Sequence, residues 1–159
     1  MITVKELIKL IVSILVCLLA GQIGALATSA SIPTWYATLN KPFFTPPNWV
    51  FAPVWITLYL LMGIAAFLVW QQGFEQPRVR RGLVIFGIQL ILNTLWSIAF
   101  FGLQSPLAGL VVIVLLWLAI LLTILSFSPI SKPAAILLIP YLLWVSLAAL
   151  LNAAILILN

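Results

Sequence analysis

The chain has 159 residues, of which 65% are hydrophobic and only 6% are charged, and its mean hydropathy is +1.33. Soluble globular domains carry about 25% charged residues, so this composition excludes them and predicts an integral membrane protein. The net charge of +5 results from seven basic and two acidic residues, and the basic residues are too few and too localised to form a nucleic-acid-binding stripe.

The few charges divide the chain into long apolar runs. Since about 20 apolar residues span a bilayer as a helix, the run 82–131 is long enough for two crossings, with Gly102–Pro106 as the turn between them. The sequence therefore predicts an all-α integral membrane protein, a single domain over 1–159 built as a bundle of five transmembrane helices. The helices are expected near 7–30, 49–73, 82–102, 106–127 and 133–157, with a folded loop over 31–48.

The basic residues also predict how the chain is oriented in the membrane. Lys41 is the only one on the side that holds the 31–48 loop, and the other six fall on the opposite side. The positive-inside rule then predicts an amino terminus inside and a carboxyl terminus outside. With no presequence or soluble domain attached, we expect the cytoplasmic membrane of a microbe. The six residues on the inner side are Lys5, Lys9, Arg78, Arg80, Arg81 and Lys132.

Helix one combines small residues with one amide. The pairs Ala20/Gly24 and Gly21/Ala25 have small-xxx-small spacing, which lets another helix approach closely, either inside the bundle or from a second subunit. Gln22 lies in the same helix, and it is expected to face protein because a polar side chain in lipid is costly.

The segment that follows helix one is rich in rigid and aromatic residues. Trp35–Tyr59 holds eight of the nineteen aromatic residues and four of the ten prolines in the chain. Because prolines restrict the backbone and aromatic rings offer surface to bury, we expect 31–48 to fold as a lid. Asn48 is expected to cap helix two. Lys41 is a candidate partner for a ligand carboxylate, or alternatively a lysine that snorkels to the interface.

Three predicted helices each carry a stripe that mixes aromatic residues with amide or hydroxyl groups. Such stripes also occur as interhelical hydrogen bonds and as the aromatic belt of a membrane protein. We favour a ligand site because Trp55, Trp96 and Trp144 lie a turn or more inside their helices, beside polar residues. The stripes are Trp55, Tyr59, Met62 and Ala66; Gln89, Asn93, Trp96 and Phe100; and Pro140 or Tyr141, Trp144, Ala148 and Leu151 or Asn152.

The residue types exclude most catalytic chemistry. The chain has no histidine, and its only carboxylate side chains, Glu6 and Glu75, lie on the predicted inner side. Acid–base catalysis, a Ser-His-Asp triad and a His or carboxylate metal site all lack their residues, so we predict no catalytic residue, no metal site and no cofactor. A flat ligand that stacks on indoles remains possible. Only Met62 or a tyrosine could hold haem iron, so a metal-free tetrapyrrole is favoured.

Three motifs carry a resemblance to a known family. Trp35–Gly63 reads W-Y-x-x-L-x-K-P-x-x-x-P-P-x-W-V-F-x-P-V-W-x-x-L-Y-x-x-M-G, Gln89–Gly102 reads Q-L-x-L-N-x-x-W-x-x-x-F-F-G, and Pro140–Asn152 reads P-Y-L-x-W-x-x-x-A-x-x-L-N. Together they resemble the signature of the TspO/translocator-protein family, also called tryptophan-rich sensory proteins.

The resemblance implies a five-helix bundle, commonly a homodimer, that binds protoporphyrin IX or a related tetrapyrrole in a pocket closed by the first loop. Some members also bind cholesterol, but no basic residue follows Lys132 here, which puts the sterol pattern of animal members in doubt. Contact with membrane lipid is expected. The pocket residues carried over are Trp35, Tyr36, Pro47, Trp49, Trp55, Tyr59, Asn93, Trp96, Trp144, Ala148 and Leu151.

Three functions are compatible with this sequence. The first is a membrane receptor or sensor that binds porphyrin-type tetrapyrroles and regulates a tetrapyrrole or stress response. The second is an enzyme that degrades porphyrin with light and oxygen, using indoles as electron donors. The third is a porphyrin or lipid transporter, against which stand the absence of inverted repeats and of an ion-coupling residue in any span.

Overall fold

The computed structural model describes residues 1–159, and all of its regular elements are helical. Five helical spans are long and apolar enough to cross a membrane, which confirms the predicted five-helix fold. The fifth span is divided into two helices. The helices are α1 (Val4–Ser31), α2 (Asn48–Trp70), α3 (Pro77–Ser97), α4 (Pro106–Phe127), α5 (Lys132–Leu137) and α6 (Ile139–Leu158).

The first span is longer than the sequence predicted, and the loop after it is shorter. A π-helical segment, Ile32–Tyr36, continues α1 without a break, so Trp35 and Tyr36 belong to a helix end and not to the lid. Pro33 lies inside this segment, where it cannot donate a backbone hydrogen bond. The Thr34 hydroxyl donates to the Ala30 carbonyl at 2.7 Å, and a wider helical turn accommodates the proline. The predicted lid 31–48 is thereby reduced to the residues between Tyr36 and Asn48.

Two further boundaries differ from the prediction, and prolines explain both. Helix α3 begins at Pro77, so its three arginines occupy the first turns of a helix and not a loop. Proline is favoured at a first helical position because its missing N–H would have no partner there. The fifth span breaks at Leu138, two residues before Pro140, which cannot donate to the carbonyl of Ile136. Asn48 begins α2 and makes no capping bond, since Pro47 holds the cap position.

Two glycines of α1 pack inside the bundle. A Cβ atom built on Gly63 of α2 would lie 2.6 Å from the Cα of Ile14, so these two helices touch at their backbones. Further along α1 from Ile14, Gly21 lies against the ring of Tyr59, and Gly24 lies against Ser97 of α3. One member of each small-xxx-small pair, Gly24 and Gly21, therefore makes an internal contact. The homodimer that the resemblance implies stays a prediction.

The bundle has two distinct ends. Helix α1 packs on α2 and α3, and α4 packs on α3 and α6. We call the end that holds the 37–47 loop the loop end, and the opposite end, which holds Arg78 and Lys132, the arginine end. At the loop end, the side chain of Asn159 accepts a hydrogen bond from the backbone N–H of Asn40 at 3.0 Å and donates to its carbonyl at 2.9 Å. The last residue of the chain therefore holds the loop in place.

Candidate functional site

A cavity of about 600 Å³ occupies the loop half of the bundle. This volume is within the range of about 300–1,000 Å³ that is typical of small-molecule sites. Its walls come from α1, α2, the end of α3 and α6, so four of the five spans contribute. The side chains that line it are mostly apolar or aromatic, and none of them is acidic. An anionic ligand would therefore meet no repelling carboxylate.

Trp55 is at the centre of an aromatic wall. Its indole stacks on the ring of Tyr59, with 5.7 Å between the ring centroids and 26° between the planes. The indole of Trp96 lies 6.3 Å away at 34°. Trp144, from α6, also lines the cavity and meets Phe51 edge-on at 6.0 Å. These rings offer flat apolar faces, which suits a planar ligand.

A chain of buried hydrogen bonds forms the floor of the cavity. The Tyr59 hydroxyl donates to Asn93 Oδ1 at 2.5 Å, and Asn93 Nδ2 donates to the Tyr141 hydroxyl at 2.8 Å. That hydroxyl donates in turn to Gln89 Oε1 at 2.7 Å, and Gln89 Nε2 lies 3.8 Å from the sulfur of Met62. Asn93, Gln89 and Met62 are fully buried below the cavity and do not line it. These amide groups therefore join helices and are not free to bind a ligand.

Other polar groups around the cavity have no partner in the protein. The hydroxyl of Tyr36 and the indole N–H groups of Trp55 and Trp144 make no hydrogen bond, although all three residues line the cavity. Every fully buried side-chain nitrogen and oxygen in the protein is paired, so these groups must be accessible. Trp96 differs, because its N–H donates to Asn152 Oδ1 at 3.1 Å. The residues that line the cavity thus offer stacking faces and carry hydrogen-bond donors that the protein leaves unpaired.

Lys41 lies behind the cavity wall. Its ammonium group donates to the carbonyls of Tyr36 and Leu39, at 2.8 and 3.2 Å, and lies 4.6 Å from the centre of the Tyr36 ring. Lys41 itself does not line the cavity. In this arrangement its positive charge holds the loop against the end of α1 and polarises Tyr36. A direct contact between Lys41 and a ligand carboxylate stays a prediction.

The structure brings half of the twelve residues predicted from the sequence together around the cavity. Ala148 contributes a small side chain, and the other five contribute rings. Ligand contact by these residues stays a prediction, but they share one space. The six are Tyr36, Trp55, Tyr59, Trp96, Trp144 and Ala148.

The other predicted residues lie away from this space. Trp35 packs edge-on against Phe100, at 5.4 Å between ring centroids, and Leu151 is buried beside the cavity without lining it. Pro47 and Trp49 are exposed at the start of α2, where Trp49 is 76% accessible. The end of a membrane helix is the usual place of interfacial tryptophans. Asn93 and Lys41 complete this group, at the positions described above.

The sequence reasoning missed most of the α1 wall. Besides Tyr36, seven residues of this helix and its π-helical extension line the cavity, and none of the seven had been predicted as a pocket residue. The available signal was the recurrence of small and polar residues every three or four positions, which places them on one face. The seven are Leu18, Gly21, Gln22, Ala25, Thr28, Ser29 and Ile32.

Comparison with known proteins adds to this picture. A sequence model described as the TspO/MBR family matches residues 13–158. The chain is 50% identical over 155 residues to the "Tryptophan-rich protein TspO" of Chlorobaculum tepidum, which covers 98% of each chain. It is 52% identical over 120 residues to the protein of that name from Archaeoglobus fulgidus, covering 75% of this chain and 76% of the relative. The human "Translocator protein" is 47% identical over 70 residues, 43% of this chain and 41% of its own.

Proposed function

Because the chain belongs to the TspO/MBR family and is an integral, multi-pass membrane protein, we propose that it is a receptor for a porphyrin-type tetrapyrrole, with protoporphyrin IX as the first candidate. The observation that carries the proposal is the set of unpaired N–H and O–H groups on Trp55, Trp144 and Tyr36 around an aromatic cavity. A flat macrocycle would stack on the rings, and its carboxylates would accept hydrogen bonds from these donors.

The cavity chemistry favours a ligand without a metal. Met62 is fully buried and faces Gln89, so it is not available as an axial ligand. Among the residues that line the cavity, the only side chains able to bind iron are Tyr36 and Tyr59, and the hydroxyl of Tyr59 is already engaged by Asn93. A metal-free porphyrin needs no axial ligand, and it uses the ring faces and the donors that the cavity offers.

Binding is favoured over transport by the closed floor of the cavity. Below Tyr59 the bundle is filled by the hydrogen-bonded side chains of Asn93, Tyr141 and Gln89. A ligand that crosses the membrane would have to break this buried network. In our proposal the loop end faces outside, as the positive-inside rule predicts, and occupancy of the cavity is the signal that regulates a tetrapyrrole or stress response.

A titration of purified protein with protoporphyrin IX, followed by porphyrin fluorescence, tests the proposal. Replacing Trp55 and Trp144 together by Phe keeps two rings but removes both N–H donors. A hydrogen bond to a charged group contributes about 1.5–3 kcal/mol, so the affinity should fall by about tenfold or more. Trp49→Phe is the matched control, because this indole is exposed outside the cavity, and it should bind like wild type. Unchanged affinity in the double variant would refute the assignment of the cavity.

A second candidate is light- and oxygen-dependent breakdown of the bound porphyrin. It is favoured by the adjacent rings of Trp55, Tyr59 and Trp96, which lie 5.7–6.3 Å apart along the cavity wall and could donate electrons to an excited ligand. Illuminated protein should then consume porphyrin faster than detergent micelles that hold the same amount of free porphyrin. A rate that is no faster than in those micelles, and that Trp55→Phe and Trp96→Phe leave unchanged, would reject this second candidate.

A further inference from the structure

The cavity is not closed on the side between α1 and α2. Three residues of α1 line the cavity and are also exposed on the surface of the bundle: Gln22, Ala25 and Ser29. Three residues of α2 likewise line the cavity and are exposed, namely Asn48, Ala52 and Ile56. Residues three or four positions apart lie on one face of a helix, so each set forms one continuous edge. We call the gap between the two edges the side opening.

The packing of α1 against α2 explains why this gap exists. The backbones touch at Ile14 and Gly63, in the arginine half of the bundle, and Gly21 still lies against Tyr59. Beyond this point, toward the loop end, the cavity lies between the two helices. Ala25 and Ala52 at the edges have side chains too small to fill the space. The side opening is therefore set by helix crossing and by residue size, and both are fixed features of the fold.

Gln22 has an unusual place in this opening. It lies 18 residues after Val4 and 14 before Tyr36 in a helical span of 33 residues, so roughly 27 Å and 21 Å of helix separate it from the two ends. It is therefore near the middle of the hydrocarbon region. Its amide makes no hydrogen bond within the protein and is exposed, although the sequence led us to expect it to face protein. Lipid chains offer no hydrogen bonds, so this amide needs a partner from outside the chain.

We propose that ligands reach the cavity from within the bilayer, through the side opening, and that Gln22 binds the polar group of the arriving ligand. The ligand class is a membrane-dissolved amphiphile with a flat or apolar body and a carboxylate or carbonyl group. Such a molecule is concentrated in the bilayer and not in water, so a lateral route needs no transfer through the aqueous phase. The 37–47 loop, held by Asn159 and Lys41, can then stay closed while the ligand exchanges. For porphyrins the inference rests on the receptor function proposed above.

Variants at the rim of the opening test the route. In lipid nanodiscs, binding and release of protoporphyrin IX are followed by stopped-flow quenching of tryptophan fluorescence. Ala25→Phe and, separately, Ala52→Phe should narrow the gap from its two edges, and each should slow both association and dissociation by at least about tenfold. Ala30→Phe is the matched control on α1, because Ala30 is exposed but does not line the cavity. Wild-type rates in both rim variants would overturn the lateral route.

Gln22 is tested by affinity. Gln22→Met keeps the length of the side chain and removes the amide, so it should weaken protoporphyrin IX binding by about tenfold, and Gln22→Asn should recover part of the loss. Gln72→Met, in an exposed turn at the arginine end, is the control that should change nothing. The competing occupant is a second copy of the chain that pairs its own Gln22. If Gln22→Met changes the mass of the protein in detergent and leaves the affinity unaltered, Gln22 belongs to a subunit interface and the proposal fails.

An independent probe separates failure of the route from failure of the porphyrin assignment. Palmitic acid that carries a diazirine group is dissolved in the nanodisc bilayer, the sample is illuminated, and labelled peptides are mapped by mass spectrometry. Labels should concentrate on the two edges of the side opening and fall in Ala25→Phe. Labels spread evenly over the lipid-facing surface would overturn the inference whether or not the protein binds porphyrin. Concentrated labels together with no protoporphyrin IX binding would support the side opening and reject the receptor proposal.

Discussion

The three tyrosines of the chain provide a graded test of the hydrogen bonds below the cavity. The Tyr141 hydroxyl makes two side-chain hydrogen bonds, the Tyr59 hydroxyl makes one, and the Tyr36 hydroxyl makes none. All three residues are at most 8% exposed, so replacing each by Phe removes one oxygen and leaves ring packing in place. The variants therefore differ mainly in how many buried groups lose their partner. Tyr141→Phe would leave both Asn93 Nδ2 and Gln89 Oε1 unpaired.

The expected losses of stability follow from these counts. Interhelical hydrogen bonds in membrane proteins contribute about 0.6 kcal/mol on average and about 1.7 kcal/mol at most. Tyr141→Phe should therefore lower the free energy of unfolding by about 1–3 kcal/mol, Tyr59→Phe by about half as much, and Tyr36→Phe by an amount close to zero. The measurement is reversible unfolding by SDS in mixed micelles, followed by far-ultraviolet circular dichroism.

Ligand binding should rank the same variants differently. Tyr36 has the free hydroxyl at the cavity, so Tyr36→Phe should weaken protoporphyrin IX binding while stability stays at the wild-type value. Equal loss of stability in all three variants would refute the reasoning, because it would mean that the hydroxyl partners do not decide the outcome. No loss in Tyr141→Phe would show that the buried network is rearranged without cost.

Two further predictions concern helix contact and the loop. Gly63→Ala would place a methyl group 2.6 Å from the Cα of Ile14, so it should lower the thermal midpoint and reduce the free energy of unfolding by about 1–3 kcal/mol. Gly87→Ala is the control, because nothing lies within 4 Å of the new atom, and its stability should be unchanged or slightly higher. A loss in Gly87→Ala equal to that in Gly63→Ala would contradict this account. Asn159→Ala removes the side-chain hydrogen bonds to Asn40, so it should raise amide hydrogen exchange in the 37–47 loop and leave exchange in α4 unchanged. Unaltered exchange in the loop would show that these hydrogen bonds do not hold it in place.

Residues that share one face of a helix were placed together correctly by periodicity. Trp55 and Tyr59 are four positions apart, so periodicity alone placed them on one surface, and the structure places both in the cavity wall. Helix ends were predicted less well. Pro33 lies within the predicted lid 31–48, but a π-helical segment accommodates it in the helix, because the Thr34 hydroxyl and a wider turn compensate for the missing donor.

The sequence could not predict whether a polar side chain is hydrogen-bonded within the protein or left without a partner. Asn93 and Gln22 are both amides inside predicted membrane helices, and periodicity treats them alike. Asn93 lies between Tyr59 and Tyr141, two residues brought to it from other helices, so its amide is fully used. Gln22 faces the gap between α1 and α2, where no side chain of the protein reaches it.

The sequence by itself determined the membrane class, the five spans and the aromatic faces, because these depend on composition and on local periodicity. The tertiary structure decided which donors are paired and which remain free. Trp96 is bonded to Asn152 while Trp55 and Trp144 are free, and α1 supplies an open wall with Gln22 at its edge. The physical reason is that a hydrogen bond requires a separation of about 3 Å between atoms of different helices. That separation is set by how closely the helices cross, at contacts such as Gly63 on Ile14.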